Sequence, residues 1–495
     1  MCMLMNKLCS ILLFIFFSFA LAAKDQPESF SKVLSYSKED LKTKTAVYTL
    51  EGGGESLLAR LWFIEHAQNS IDIQYYSFAK DITGIIATDK IIVAAERGVK
   101  VRLLIDDAAA RMYSYDIRML DMHDNIEIRV YNAGVMLGRP DRRAKFFLKN
   151  YKRLLRRMHN KTFTVDKEAS IMGGRNIADR YFDYDKNYNF RDRDVLLMGK
   201  AVNQINESFE KFWNDPLTVT YTELSGRKKK NEKNHRYYVN LHERSLNTKK
   251  FSVVMRNKIN TYNDTLKKAE RTGLLVWTTE TTFISDNPGK NEDKKDWVGG
   301  ICADSMLSLI KNAKFSIDIQ SPYFIITKEK IGIIKDAIKR GIKIRLLTNS
   351  LSSTDNFMAF SAYQRDREEI LKTGVIIYEF KPNAKVRYKL MVPEVQSKLH
   401  YRTVYGFHSK TIVIDNSVSI IGSYNLDPRS ANYNTECISV FRSKQVSENL
   451  MKIIEEEFLP ENAWPVSEDR NPDHKAKFIK KMKAFFCRIV PKKYL

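Results

Sequence analysis

Ser70-Ile71-Asp72-Ile73-Gln74 returns as Ser316-Ile317-Asp318-Ile319-Gln320, and Arg97-Gly98-Val99-Lys100-Val101-Arg102-Leu103-Leu104 returns as Arg340-Gly341-Ile342-Lys343-Ile344-Arg345-Leu346-Leu347. The offsets, 246 and 243 residues, are too long for a solenoid repeat and mark a duplicated domain. In each copy a helical stretch rich in alanine and leucine leads into a β-branched strand. A second helix then ends near a glycine and another strand follows, with residues 126–131 and 375–380 reading as strands again. Strands alternating with helices in both halves predict an α/β fold: two tandem domains, each a mixed sheet flanked by helices. The expected divisions are 1–22 signal segment, 23–224 first domain, 225–262 basic linker or loop, 263–465 second domain and 466–495 basic tail.

The repeat carries a polar signature. The first copy has His159-Asn160-Lys161, then Asp166, then Gly173-Gly174-Arg175-Asn176; the second has His408-Ser409-Lys410, then Asp415, then Gly422-Ser423-Tyr424-Asn425. Thr-Phe-Thr-Val and Thr-Ile-Val-Ile fill the interval between Lys and Asp and alternate as a strand does. Two residues apart on a strand, His and Lys project from one face. A single His-x-Lys would carry little weight, because a strand with a buried His and a surface Lys is commonplace. Matched spacing in both copies of a duplicated domain is a far stronger signal.

Brought together, the two faces would place two His, two Lys and two Asn around one point, a setting suited to a phosphate diester. Ammonium groups and amides would hold the non-bridging oxygens. One imidazole could attack phosphorus while the other protonates the departing alcohol and later activates the incoming one. Lysine charge does here what a cation would otherwise do, so no metal or other cofactor is expected.

These residues resemble the phospholipase D superfamily, whose signature is a duplicated His-Lys-Asp motif, over nearly the whole chain beyond the leader. Arg156-Arg157-Met158-His159-Asn160-Lys161, Gly173-Gly174-Arg175-Asn176-Ile177, and Asp427-Pro428-Arg429-Ser430 before Asn434-Thr435-Glu436 are similar to the bacterial cardiolipin synthase C type. The resemblance implies phosphatidyl transfer onto phosphatidylglycerol, from phosphatidylethanolamine or a second phosphatidylglycerol. It makes His159 the nucleophile that forms a phosphohistidine and His408 the general acid and base. Lys161, Lys410, Asn176 and Asn425 would bind phosphate, and a downstream acid would orient each His. Glu436 matches that acid in the second copy; Asp192 matches it in the first, with Asp194 close by. Asp166 and Asp415 would be structural, as would Gly173, Gly174, Gly422 and Ser423. Gly174 stands where many superfamily members have the Ser found at 423, a departure the cardiolipin synthase C type shares. Hydrolysis of phospholipids, or a nuclease activity, is the alternative on the same fold. A non-catalytic binding protein would be expected to carry a broken half-site, and both signatures are intact.

Charge and hydropathy suggest where such chemistry would occur. The chain of 495 residues is 43% hydrophobic and 11% aromatic, which excludes a disordered or collagen-like protein. Of its net charge of +23, +8 falls in Arg142–Arg157, +5 in Arg227–Arg236 and +8 in His474–Leu495, leaving the remainder nearly neutral. Localised surplus of this kind suits a polyanion, a nucleic acid or an anionic membrane surface. The basic segments are interleaved with aliphatic residues rather than with base-stacking aromatics alone, which favours the membrane over nucleic acid. Phe478, Ile479, Met482, Phe485, Phe486, Ile489 and Val490 recur at helical spacing among lysines, as in an interfacial helix. The stretch from Arg142 to Arg157, with Phe146, Phe147, Leu148, Leu154 and Leu155, has the same character. Lys7 precedes an apolar run from Leu8 to Leu21, and Ala20-Leu21-Ala22 resembles a cleavage site, so export or membrane association is expected: the bacterial inner membrane and its periplasmic side, with secretion as the alternative. Beyond residue 22 three widely spaced cysteines remain, Cys302, Cys437 and Cys487, which predict buried apolar side chains and no disulfide-linked partner.

Overall fold

The structure, a computed structural model, describes residues 27–107, 114–133, 155–225, 234–248, 251–291, 299–397, 400 and 402–495. The leader and most of the basic stretch from Arg142 lie outside them. The first half supplies β1 (Thr45–Leu50), β2 (Ser70–Tyr75), β3 (Lys100–Asp106), β4 (Ile126–Tyr131), β5 (Thr162–Val165), β6 (Ala169–Gly173), β7 (Tyr188–Arg191), β8 (Asp194–Gly199) and β9 (Thr218–Thr220). After them come β10 (Val276–Thr278), β11 (Thr281–Ser285), β12 (Ser316–Gln320), β13 (Lys343–Asn349), β14 (Ile376–Phe380), β15 (Val404–Phe407), β16 (Thr411–Ile414), β17 (Val418–Gly422), β18 (Cys437–Phe441) and β19 (Ala463–Val466).

One sheet runs β10-β1-β8-β6-β5-β2-β3-β4-β9 and the other β11-β18-β17-β16-β12-β13-β14-β19. In each, three parallel strands (β2-β3-β4 and β12-β13-β14) are flanked by antiparallel ones, the mixed sheet that the duplicated pattern predicts. Strand alternation sorts the side chains. Ile71 and Ile73 join a core with helices Gly53–His66 and Ile82–Glu96, and Ile317 and Ile319 join the corresponding core of the second half. Asp72 and Asp318 point to the other face, where each pairs with an arginine of the next strand, Arg102 and Arg345. A third apolar cluster joins the sheets, drawing Val47, Met172 and Val195 from one half and Phe283, Val413 and Ile421 from the other.

The hairpins β5-β6 and β16-β17 use the signature aspartates. Asp166 and Lys167 have φ of 50° and 60°, and Asp415 and Asn416 have 53° and 48°, left-handed values that Asp and Asn tolerate better than most residues. From that turn the Asp166 carboxylate accepts the backbone N–H groups of Gln68, Asn69 and Ser70 at 2.9, 2.7 and 2.9 Å. Asp415 takes those of Lys314, Phe315 and Ser316 at 2.9, 2.7 and 2.9 Å. Each thereby ties its hairpin to the start of the neighbouring parallel strand.

The expected linker needs correction. Residues 234–246 and 253–260 are helices, and Leu241, Phe251, Met255 and Ile259 are buried in the first core. Tyr262, Leu266 and Leu275 follow them there, and β10 extends the first sheet beside β1. The first unit therefore reaches Thr278, and the second begins at β11. The basic run from Arg227 to Arg236, most of which lies outside the described residues, made this stretch look like a linker, while the widely spaced apolar residues after it carry the packing. Among the described residues no helix is long and apolar enough to cross a membrane. Cys302 and Cys437 are buried and Cys487 is half-buried; all three are free.

Candidate active site

Short parallel strand pairings between the halves assemble the site. β15, which ends at Phe407, pairs with β7, which ends at Arg191, and the His408 N–H donates to the Arg191 carbonyl at 2.8 Å. In the other half-site Met158 bridges to Thr435, and the His159 N–H donates to the Thr435 carbonyl at 2.9 Å. Each histidine thus lies beside the residue that precedes the other half's acid. The result is a crossed arrangement. His159 Nδ1 lies 2.8 and 3.0 Å from the Glu436 carboxylate oxygens, and His408 Nδ1 lies 2.5 Å from Asp192 Oδ2. Glu436 belongs to the second copy and Asp192 to the first, so neither half can complete its own His–carboxylate pair.

The acids are held in turn. Ser423 and Ser430 hydroxyls donate to Glu436 at 2.5 and 2.8 Å. Asp192 receives the Arg193 N–H at 2.8 Å, while buried Arg175 donates to the Asp192 carbonyl at 2.5 Å and to the carbonyls of Leu50 and Glu51. The unequal Gly174 and Ser423 have a steric reason. A Cβ at Gly174 would sit 2.2 Å from Asp192 Oδ1, whereas Ser423 uses its hydroxyl to hold the longer Glu436. Asp194, the near neighbour, bonds Ser56 at 2.8 Å and Arg60 at 2.9 Å, so it braces the scaffold instead.

Lysines complete each half. Lys161 Nζ donates to the His159 carbonyl at 2.6 Å, and Lys410 Nζ bonds the His408 carbonyl and lies 2.8 Å from His408 Nδ1. Thr162 and Thr411 open the strands, so His and Lys sit just ahead of β5 and β16 rather than within them. Between them, Asn160 and Ser409 point into inter-half contacts, to Thr435 and to Arg193. Asn176 accepts from the Ser77 N–H at 3.1 Å and donates to the Tyr181 hydroxyl at 3.0 Å, while the buried Asn425 Oδ1 has no hydrogen-bond partner.

The electrostatics couple the two halves. Burial, with help from Lys161 and Lys410, lowers His159 to about 4, so its imidazole is neutral near pH 7. Burial and the adjacent Lys410 charge also push His408 below its usual value. Burial and the charge of the opposite lysine lower Lys161 to about 7, and burial lowers Lys410 to about 8. Although burial pushes Asp192 upward, His408 and Lys410 hold it down at about 2, and His159 and Lys161 likewise keep buried Glu436 below the carboxylate range. Two buried lysines, one of which feels the charge of the other, suit an anion.

Composition and spacing did not reveal the aromatic walls. Tyr76 stands edge-on to His159 at 5.4 Å, and Tyr181 stands edge-on to His408 at 5.4 Å with Phe190 at 4.6 Å. Asp106 was also missed; it fixes the approach to His159 by accepting from the Met158 N–H at 2.9 Å and Arg157 at 3.3 Å. Ser430 falls within a motif read for resemblance alone. None of these lies in the repeated signature, which was the signal that found the rest.

Two crossed His–carboxylate pairs with paired lysines, set on tandem mixed sheets, define a phospholipase D-type phosphodiester centre. The family model described as "Cardiolipin synthase, PLD-like domain" matches residues 61–213 and 306–458, and the chain belongs to that family, as a phospholipid phosphatidyltransferase. Cardiolipin synthase C of Escherichia coli K12 is 32% identical over 447 residues, covering 86% of this chain and 87% of that one. A protein of Helicobacter pylori is 35% identical over 397 residues, 80% of this chain and 76% of its own. The crystal structure of phosphatidylserine synthase from Haemophilus influenzae superposes with a TM-score of 0.57 at 13% identity, covering 93% of this chain and 100% of that one, which speaks for the fold.

Proposed function

We propose that the enzyme makes cardiolipin by moving a phosphatidyl group from phosphatidylglycerol or phosphatidylethanolamine onto phosphatidylglycerol, through a phosphohistidine on His159. The observation that carries this reading is the crossed pairing, which gives each half an imidazole oriented by the other half's carboxylate, with a lysine bonded to each histidine's carbonyl. Neutral His159, held through Nδ1 by Glu436, presents Nε2 as the nucleophile. A P–N bond forms while the bond from phosphorus to the donor's head-group oxygen breaks. His408, oriented by Asp192, gives that oxygen its proton. His408 then takes the proton of a phosphatidylglycerol hydroxyl, whose oxygen replaces His159 on phosphorus. Lys161 and Lys410, with Asn176 and Asn425, hold the non-bridging oxygens throughout. The bound diester anion raises the proton affinity of His408 and both lysines, which favours the acid form the first step needs.

The substrates on this reading are membrane phospholipids, and the apolar leader supports work outside the cytoplasm, at the periplasmic side of the inner membrane. The test is to incubate the purified protein with labelled phosphatidylglycerol, with and without phosphatidylethanolamine, and to identify the products. Cardiolipin is the expected product. Phosphatidic acid alone would make the enzyme a hydrolase, and cleavage of nucleic acid in the absence of lipid, with no cardiolipin formed, would overturn the lipid reading.

A further inference from the structure

The C-terminal helix, Phe478–Cys487, is amphipathic in the inverse sense. A helix on a globular protein buries its apolar stripe, yet the buried residue of this one is Ala484. Phe478, Ile479, Phe485 and Phe486 are 76%, 63%, 60% and 67% exposed, and Ile489 just beyond is 89% exposed. At 3.6 residues per turn these positions, with Met482, cover an arc of about 120°, and Ala484 lies roughly opposite its centre. The helix is not loosely attached. It rests on helix Phe357–Leu371 through its polar side. Lys480 and Lys483 lie over the Phe357 ring at 5.9 and 5.6 Å, and Arg365 donates to the carbonyls of Arg488 and Val490 at 3.0 and 3.3 Å. Lys492 pairs with Asp366. The protein thus grips the polar side of the helix and turns the aromatic side outward.

The helix adjoins the active site through this gripped side. Lys480 donates to the Ser352 carbonyl at 2.5 Å, and nearby Asp355 acts electrostatically on Lys480, His408 and Lys410 while accepting from the Tyr323 hydroxyl at 2.9 Å. At the other end of the tail the Leu495 carbonyl accepts the Arg429 N–H at 2.9 Å, one residue before Ser430, which holds Glu436. From His474 to Leu495 the segment carries eight Lys or Arg and no Asp or Glu.

We propose that this helix seats the protein on an anionic phospholipid surface, with its aromatic side chains in the interface and exposed lysines such as Lys477 and Lys481 against headgroup phosphates, so that the catalytic site faces the lipid. The placement rests on the lipid reading of the site, but the docking can be measured without any reaction. Charge selects the occupant. A second copy docked here would set one eightfold cationic segment against another, whereas an anionic bilayer complements both the charge and the apolar stripe.

The test uses the full chain and a Phe478→Ser, Phe485→Ser, Phe486→Ser variant. All three positions are exposed, so the fold should be unaffected. Binding is followed by flotation with phosphatidylcholine vesicles, with and without phosphatidylserine. The unaltered protein should float with the anionic vesicles and about tenfold less with the neutral ones, and the variant should lose about tenfold in binding to the anionic ones. Turnover of a short-chain phosphatidylglycerol, dissolved below its micelle concentration, should be the same for both. Vesicle binding with no cardiolipin formed would uphold the docking while refuting the proposed reaction. Equal binding by variant and unaltered protein would overturn the docking, as would an unaltered protein that is dimeric without lipid and a variant that is monomeric.

Discussion

At the scale of single residues, the site is governed by like charges held close under burial. Lys161 is lowered to about 7 by burial and the charge of Lys410, and Lys410 is lowered to about 8 by burial. An anion binds best when both are protonated. Affinity for inorganic phosphate, a simple probe of the site, should therefore be highest below about pH 7 and fall as pH rises through 7 to 8. Calorimetric titration at pH 6 and pH 9 should show weakening of about tenfold or more at the higher pH, with proton uptake on binding near pH 8. Lys161→Met should flatten the profile. Affinity that did not change with pH would mean that the lysines do not receive the phosphate. The repeated His-x-Lys and Gly-x-x-Asn spacing makes these groups legible in the amino-acid sequence. Their proton affinities are not legible there, since burial and the distance between two ammonium groups arise only when the halves meet.

At the scale of elements, the decisive feature is where strands end. β6 stops at Gly173, and the next residue must carry no side chain, because Asp192 occupies the space where a Cβ would lie, 2.2 Å from Oδ1. Gly174→Ser, which would make the half-sites formally alike, should displace Asp192 from His408 and reduce kcat by roughly 10²-fold with little change in folding. Rates measured beside Ser423→Gly would show whether each half tolerates only its own residue; full activity in Gly174→Ser would contradict this packing. The sequence announced β2, β3, β12 and β13 through their copied strings, and the hairpins through their aspartates. It did not announce β7 and β15, which at four residues each are too short for a pattern to stand out, and which pair with one another across the halves. Similarly, the helices Asn234–Leu246 and Val253–Asn260 fell within the expected basic linker because only a few apolar residues anchor them.

At the scale of the whole molecule, the two halves are interlocked by charge as well as by apolar contact. Arg193 leaves the first half to bond Gln320 at 2.6 Å and Thr411 at 2.8 Å in the second, and Arg191 pairs with Glu457 and with Glu51. Burial pushes Glu51 upward, but Arg193 and Arg191 hold it at about 2. Arg191 and Arg193 flank Asp192, so the contacts that join the halves also set the acid that orients His408. Duplication predicted a site shared by two copies. The exchange of acids between them was beyond the sequence, because spacing along the chain does not say which half each carboxylate faces. The proposed reaction requires that His159, held by Glu436, be the nucleophile and that His408, held by Asp192, be the acid. Its most direct test is to mix the enzyme with phosphatidylglycerol carrying a radioactive phosphorus, quench in alkali, and map the labelled peptide. We expect phosphohistidine at His159, accumulating when Asp192→Asn slows the second step and absent from His159→Ala. Label on His408 with none on His159 would contradict the assignment.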